Sequence, residues 1–268
     1  PDFSGIYPCA VEEFERQIAF LSQHFSVVSI PELYNAATHG EKKKLCAITF
    51  DDGLKDQYEN AVPILKTYGA PAIFFVITGT LKGLMPTAHK VHIISSQIPM
   101  RELVDQFNLF LVRGFPQYEN DYTIPTDKRI SDKRLLDDIY TANFKEMISN
   151  TIPRDISDAF LIQMLRVLKF TEQDLCKQIF MGTQDLCALE DQGFMIGGHT
   201  HAHYSLDKEN ESVLREDFHT ADSILQSISR GSRSIFAYPY GRTSDMARKI
   251  LQESDFTQQS ERRRWGER

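Results

Sequence analysis

A chain of 268 residues, 41% hydrophobic and 25% charged, has globular composition and enough apolar material for a sizeable core. Its formal net charge of −7 argues against a nucleic-acid partner, and the basic run Arg262–Arg264 is too short and isolated to change that. No apolar run approaches the ~18 residues of a membrane span.

The first elements alternate. Phe14, Ile18 and Leu21 recur at helical spacing within Val11–Phe25, and "SVVSI" follows as a strand. Pro31 opens a short helix, "PELYNAAT", where a missing N–H costs least. "KKKLCAITF" supplies the next strand, Gln57–Tyr68 a helix closed by Gly69, and "PAIFFVI" a third strand. Continuous apolar strands alternating with helices predict an α/β fold with a parallel sheet covered by helices. From about Leu81 to Asp191 strands are scarce, and helical periodicity takes over in Met100–Val112, Asp132–Ile148, Asp155–Leu168 and Glu172–Phe180. The alternation resumes with "FMIGG", a helix from Glu211 to Ile228, the strand "SIFAYP" and a helix from Ser244 to Glu253. The expected organisation is therefore an α/β barrel or sheet built from 1–80 and 192–268, interrupted by a large helical insertion, 81–191. The insertion is expected to emerge on the face that carries the strand ends.

The polar residues with chemical potential share an address at strand carboxyl ends, where active sites of such folds form. Asp51 and Asp52 follow Leu45–Phe50; His199, His201 and His203 follow "FMIGG"; Tyr240 follows "SIFAYP". Adjacent carboxylates at the end of a buried strand repel one another, so either a cation offsets them or the pair sits in water as an ordinary turn. His199 and His203, at i and i+4, would share one face of a helical turn and can hold one metal ion. A carboxylate from Asp51 or Asp52 would complete three protein ligands and leave a fourth position open. In an extended segment His201 would change the set. His89 and His92, at i, i+3, are read as a surface or packing pair.

Three motifs, "TFDDG" (Thr49–Gly53), "HTHAH" (His199–His203) and "FAYPYG" (Phe236–Gly241), in this order, resemble those of the polysaccharide deacetylases, carbohydrate esterase family four. The resemblance covers roughly 11–79 and 194–256 and leaves out the helical middle. It implies a distorted (β/α) barrel, here incomplete at the C-terminus, and a metal-dependent hydrolase that removes N-acetyl groups from an amino sugar of a polysaccharide or glycoconjugate in a bacterial cell envelope. By resemblance Asp51 is the catalytic base, while Asp52, His199 and His203 are ligands of one divalent ion, with zinc expected. Tyr240, beside Pro239 in the substrate-binding turn, offers its backbone N–H to the oxyanion. Two positions depart from the family pattern. Ala237 stands where an arginine often contacts the base, and no histidine follows His219, although the family draws its general acid from a late leucine–x–histidine motif.

The partner expected is thus an N-acetylated carbohydrate. The alternatives are hydrolysis of a small cyclic amide or imide, and an inactive carbohydrate-binding domain that keeps the metal. Cys9, Cys46, Cys176 and Cys187 lack CxxC spacing and disulfide-framework density, which leans towards a reducing, cytoplasmic compartment while leaving cell envelope or secretion open. The chain opens at Pro1 without a signal-peptide pattern, and an upstream segment is compatible with that start.

Overall fold

The spacing of Phe14, Ile18 and Leu21 makes helix α1 (Val11–His24) one-sided: Ile18 is buried, and the other two pack against the same core. After strand β1 (Ser26–Val27), Ser29 caps helix α2 (Ile30–Thr38). Its backbone N–H donates to the Glu32 carboxylate at 2.8 Å, and its hydroxyl accepts from the Glu32 N–H at 3.4 Å. A computed structural model provides this description for residues 9–40, 43–229 and 235–254.

The stretch expected to be one strand, Leu45–Phe50, divides at Ala47. Strand β2 (Leu45–Cys46) pairs with β1, whereas β3 (Ile48–Phe50) joins a second sheet. A π-helical turn (Gln57–Ala61) runs into α3 (Val62–Thr67), and β4 (Ala72–Val76) follows, buried at every residue as its unbroken apolar run requires.

The residues Met85–Glu172 form a compact helical unit. It contains α4 (Thr87–Gln97), α5 (Met100–Gly114), α6 (Glu119–Tyr122), α7 (Ile139–Glu146) and α8 (Arg154–Val167), with Phe107, Phe144 and Phe160 fully buried. Helix α4 escaped the periodicity because Lys90 lies on its buried side, neutralised by Asp158 at 3.0 Å and Glu172 at 2.8 Å. The single helix expected over Asp132–Ile148 is broken. Asp138 accepts from the Tyr140 and Thr141 N–H groups and so caps α7 afresh. Buried Asn143 then ties the preceding loop down, donating to the Pro125 and Lys128 carbonyls and accepting from the Ile130 N–H.

The second unit comprises Cys9–Leu84 and the described part of Gln173–Arg268. To the elements above it adds α9 (Glu172–Ile179), α10 (Thr183–Asp191), β5 (Met195–Gly198), α11 (Glu211–Ile228) and α12 (Asp245–Glu253). Strands β3, β4 and β5 lie side by side, all parallel, with Phe50 opposite Phe74 and Val76 opposite Gly198, so their carboxyl ends share one edge. Phe74 anchors this layer, stacked on Phe50 at 4.7 Å and edge-on to Phe194 at 5.8 Å. Of the expected strand "SIFAYP", Ser234 lies outside the described residues and Phe236 contributes one parallel bridge to Gly198. Among the described residues the strands form a two-stranded and a three-stranded parallel sheet and do not close into a barrel.

Gly197 sits where β5 is pressed hardest: a Cβ there would meet the Phe75 ring and come within 2.8 Å of the Ile235 carbonyl oxygen. Gly197→Ala is therefore expected to destabilise the protein by about 1–3 kcal/mol, as overpacking does, read as a lowered denaturant midpoint at unchanged m-value. An unaltered midpoint would contradict this packing.

Candidate metal centre

The two aspartates leave β3 in a turn that only some residues tolerate. Asp52 has φ 72° and Gly53 φ 71°, successive left-handed conformations, of which aspartate and glycine bear the smallest strain. The Gln57 side chain holds the turn shut: its Nε2 donates to the Asp51 carbonyl at 2.7 Å, and its Oε1 accepts from the Leu54 N–H at 3.1 Å. This arrangement sends the carboxylates different ways. Asp51 is exposed, and its side chain makes no hydrogen bond or ion pair among the described residues. Asp52 turns towards the histidines.

The segment His199–His203 is neither the helical turn that the i, i+4 spacing suggested nor an extended strand. It is a tight loop in which Thr200 (φ 66°) and His203 (φ 57°) are both left-handed. Its ends are registered by the sheet. The His199 N–H donates to the Val76 carbonyl, and the Thr78 and Gly79 N–H groups donate to the carbonyls of Thr200 and His201. Inside the loop the Thr200 hydroxyl accepts from the His203 N–H at 2.8 Å. His201 points away and meets the Thr78 hydroxyl through Nδ1 at 3.0 Å; burial, reinforced by Lys82, holds its pKa below the usual value.

His199 and His203 thereby converge on the same atom. Each Nε2 lies 3.3 Å from Asp52 Oδ1, and the three potential ligand atoms lie within 4.8 Å of one another. His199 Nδ1 donates to the Ala237 carbonyl at 2.9 Å, an assignment of tautomer that leaves the Nε2 lone pair facing the carboxylate. Where a nitrogen lone pair faces a carboxylate, a proton or a metal cation must lie between them. Ligands 2.0–2.1 Å from a tetrahedral zinc ion stand about 3.3–3.4 Å apart, so the observed nitrogen–oxygen spacing fits such an ion without rearrangement. His199 and His203 are buried and Asp52 half-buried, so the cluster has an inner wall of histidine and an open side. Among the described residues this is the one group of three side chains with metal-ligand geometry. His89 and His92 lie edge to face at 6.3 Å in the helical unit, and among the described residues no third metal-ligating side chain joins them.

The third motif borders the same cluster. Pro239–Gly241 is a 3-10 turn with Tyr240 at φ 60°, its ring 4.7 Å from the His203 ring and 55% exposed. Arg242 does not take up the role of the arginine absent at Ala237, because it pairs with Asp207 at 3.1 Å. Burial opposes ionisation of Asp207, but the Ser205 hydroxyl and Arg242 outweigh it and hold the carboxyl below its usual pKa. Sequence reasoning missed Thr78, Gly79 and Asp217, whose contacts with the histidine loop join segments far apart in the chain.

Comparison with known proteins agrees with this geometry. The family model described as "Polysaccharide deacetylase" matches residues 38–94 and 166–258. A 75-residue stretch is 39% identical to the poly-beta-1,6-N-acetyl-D-glucosamine N-deacetylase of Staphylococcus aureus, covering 27% of this chain and 26% of that protein. A 90-residue stretch is 32% identical to Bacillus subtilis YxkH, named for polysaccharide deacetylation, covering 32% of this chain and 30% of that one. The matched stretches thus span less than a third of these relatives' lengths. Among solved structures, IcaB from Ammonifex degensii has a TM-score of 0.53 at 18% identity, covering 93% of this chain and 75% of that one. The Streptococcus pyogenes deacetylase PplD has a TM-score of 0.51 at 17% identity, with 91% and 68% covered. No described helix is long and apolar enough to cross a membrane.

Protein purified without added metal is expected to carry about one equivalent of a divalent ion, and a chelator to lower its thermal midpoint. Metal at a hundredfold excess over its dissociation constant should return about 2.7 kcal/mol of stability. Asp52→Ala, lacking one ligand, should show little of that gain; equal stabilisation of both proteins would place the ion elsewhere.

Proposed function

The chain belongs to the polysaccharide deacetylase family, and from that membership we propose that it hydrolyses the N-acetyl group of an amino sugar in a cell-envelope polysaccharide or glycoconjugate. The observation that carries this reading is the convergence of Asp52, His199 and His203 beside an exposed carboxylate, Asp51, that no described side chain engages. The named activity of the staphylococcal relative supports N-acetylglucosamine as the sugar.

Two imidazoles and one carboxylate suit zinc best among the abundant divalent ions. When bound there, such an ion lowers the pKa of a coordinated water and polarises the acetyl carbonyl. The residues of the chain supply the rest. Asp51 accepts the proton of water as its oxygen adds to the carbonyl carbon. The Tyr240 N–H, presented by the left-handed turn, donates to the carbonyl oxygen as it gains charge. As the C–N bond breaks, Asp51 returns the proton it took to the leaving nitrogen. Acetic acid and the sugar amine are released and exchange a proton in water to give acetate and ammonium. The Tyr240 ring, more than half exposed over His203, offers an apolar face to the sugar. In architecture we read the chain as the family's distorted barrel with a helical insertion. The family model supports this by matching on both sides of 95–165 and not within it.

Acetate release should be measured on N-acetylglucosamine oligomers, β-1,6-linked first, with a cyclic imide as the competing substrate. Release from an oligomer and no turnover of the imide is the expected result. Asp51→Asn, nearly isosteric and outside the ligand set, should retain metal and lose about 10²–10⁴ in rate. A wild-type protein that binds metal yet releases no acetate from any oligomer would favour the non-catalytic carbohydrate-binding reading. Equal metal loss from Asp51→Asn and Asp52→Ala would make Asp51 a ligand and remove it as the base.

A further inference from the structure

The histidine loop is held by a residue that none of the three motifs contains. Asp217, on α11 and only 8% exposed, accepts the His201 N–H through Oδ1 and the Ala202 N–H through Oδ2, each at 2.8 Å. These are the two amides that follow left-handed Thr200, whose conformation turns successive N–H groups the same way and forms a small anion-binding concavity. A β-branched residue is poorly suited to that conformation, which costs on the order of 1–3 kcal/mol and persists only where its surroundings over-determine it. A carboxylate with one oxygen on each amide does so. The bonds are charge-assisted, and they satisfy two half-buried backbone donors.

We propose that Asp217 is a positioning residue for the metal centre: by clamping the His201 and Ala202 amides it fixes the loop in which His199 and His203 converge on Asp52. The reasoning is geometric. The clamped amides lie between the two ligands in the chain, so a rotation there carries His203 away from His199. The opposite side of the loop is already fixed, because Gly79 lies so close that a Cβ on it would run into the His201 carbonyl oxygen. Asp217 closes the remaining side. The proposal rests on the metal-centre reading above, and its test reads metal binding rather than turnover.

Cobalt(II) is the probe, titrated into the metal-free full chain, with its visible absorption reporting ligand geometry. Asp217→Asn keeps the shape, but its amide nitrogen must face a backbone donor. It is expected to weaken Co²⁺ binding about 10–100-fold, as loss of a ligand-supporting partner does, and to change the visible band. Asp222→Asn is the control: Asp222 is equally buried on the same helix but bonds Gln226. It should leave Co²⁺ affinity and spectrum at wild-type values even if the thermal midpoint falls. Wild-type affinity and spectrum in folded Asp217→Asn would overturn the proposal while leaving the metal centre intact. If Asp217→Asn fails to fold, Asp217→Glu takes its place. Its longer arm should displace the loop and weaken binding, and wild-type affinity and spectrum would overturn the proposal equally. A wild-type chain that binds no Co²⁺ would overturn the metal-centre reading and this inference with it.

Discussion

Two imidazole nitrogens aimed at one carboxylate oxygen, each 3.3 Å away, form the constraint on which the site depends. With Nδ1 of His199 donating to a carbonyl, its Nε2 presents a lone pair to an anion, an arrangement unfavourable in isolation. Protonating both rings would bury two like charges beside one carboxylate, at several kcal/mol of desolvation for each ion. A single divalent cation would meet all three atoms at once, which makes the cluster a candidate metal centre.

Holding such a cluster together demands backbone that few sequences adopt. Among the described residues, four of the five non-glycine residues with positive φ are Asp52, Thr200, His203 and Tyr240, all in the three motifs. Each costs on the order of 1–3 kcal/mol, and strain of this kind concentrates where function requires a fixed geometry. The compensation comes from hydrogen bonds and tight packing nearby. Gln57 closes the aspartate turn, Gly79 admits the histidine loop against the end of β4, and Asp217 receives the amides that the strained loop projects. Parallel β3, β4 and β5 make this possible by delivering both loops to the same sheet edge.

The departures from the family pattern have physical consequences of their own. Ala237 offers its backbone carbonyl to His199 in place of a guanidinium near Asp51. Arg242, a few residues on, is engaged by Asp207 instead. Among the described residues no side chain engages the Asp51 carboxylate, so no fixed arginine stands beside it there. In the helical unit, by contrast, the buried polar groups are structural: Lys90 balances two carboxylates, and Asn143 satisfies three backbone groups of one loop.

By itself the sequence determined the alternation of apolar strands and helices, and the address of the aspartate and histidine motifs at strand ends. These follow from local periodicity and composition, which tertiary contacts reinforce rather than create. It also singled out Asp52, His199 and His203 as candidate ligands, but through spacing and resemblance, for the helical turn that would have paired His199 with His203 does not exist. Only the tertiary structure decided that a strained loop brings them together, because left-handed Thr200 is dictated by the Thr78, Gly79 and Asp217 contacts and not by its neighbours in sequence. It likewise decided that Leu45–Phe50 serves two sheets, and that the helix expected over Asp132–Ile148 restarts at Asp138, where a side-chain cap competes with helix continuation. Helix α4 stayed hidden because a buried lysine reads as a surface residue until its two carboxylate partners, from distant segments, are in view.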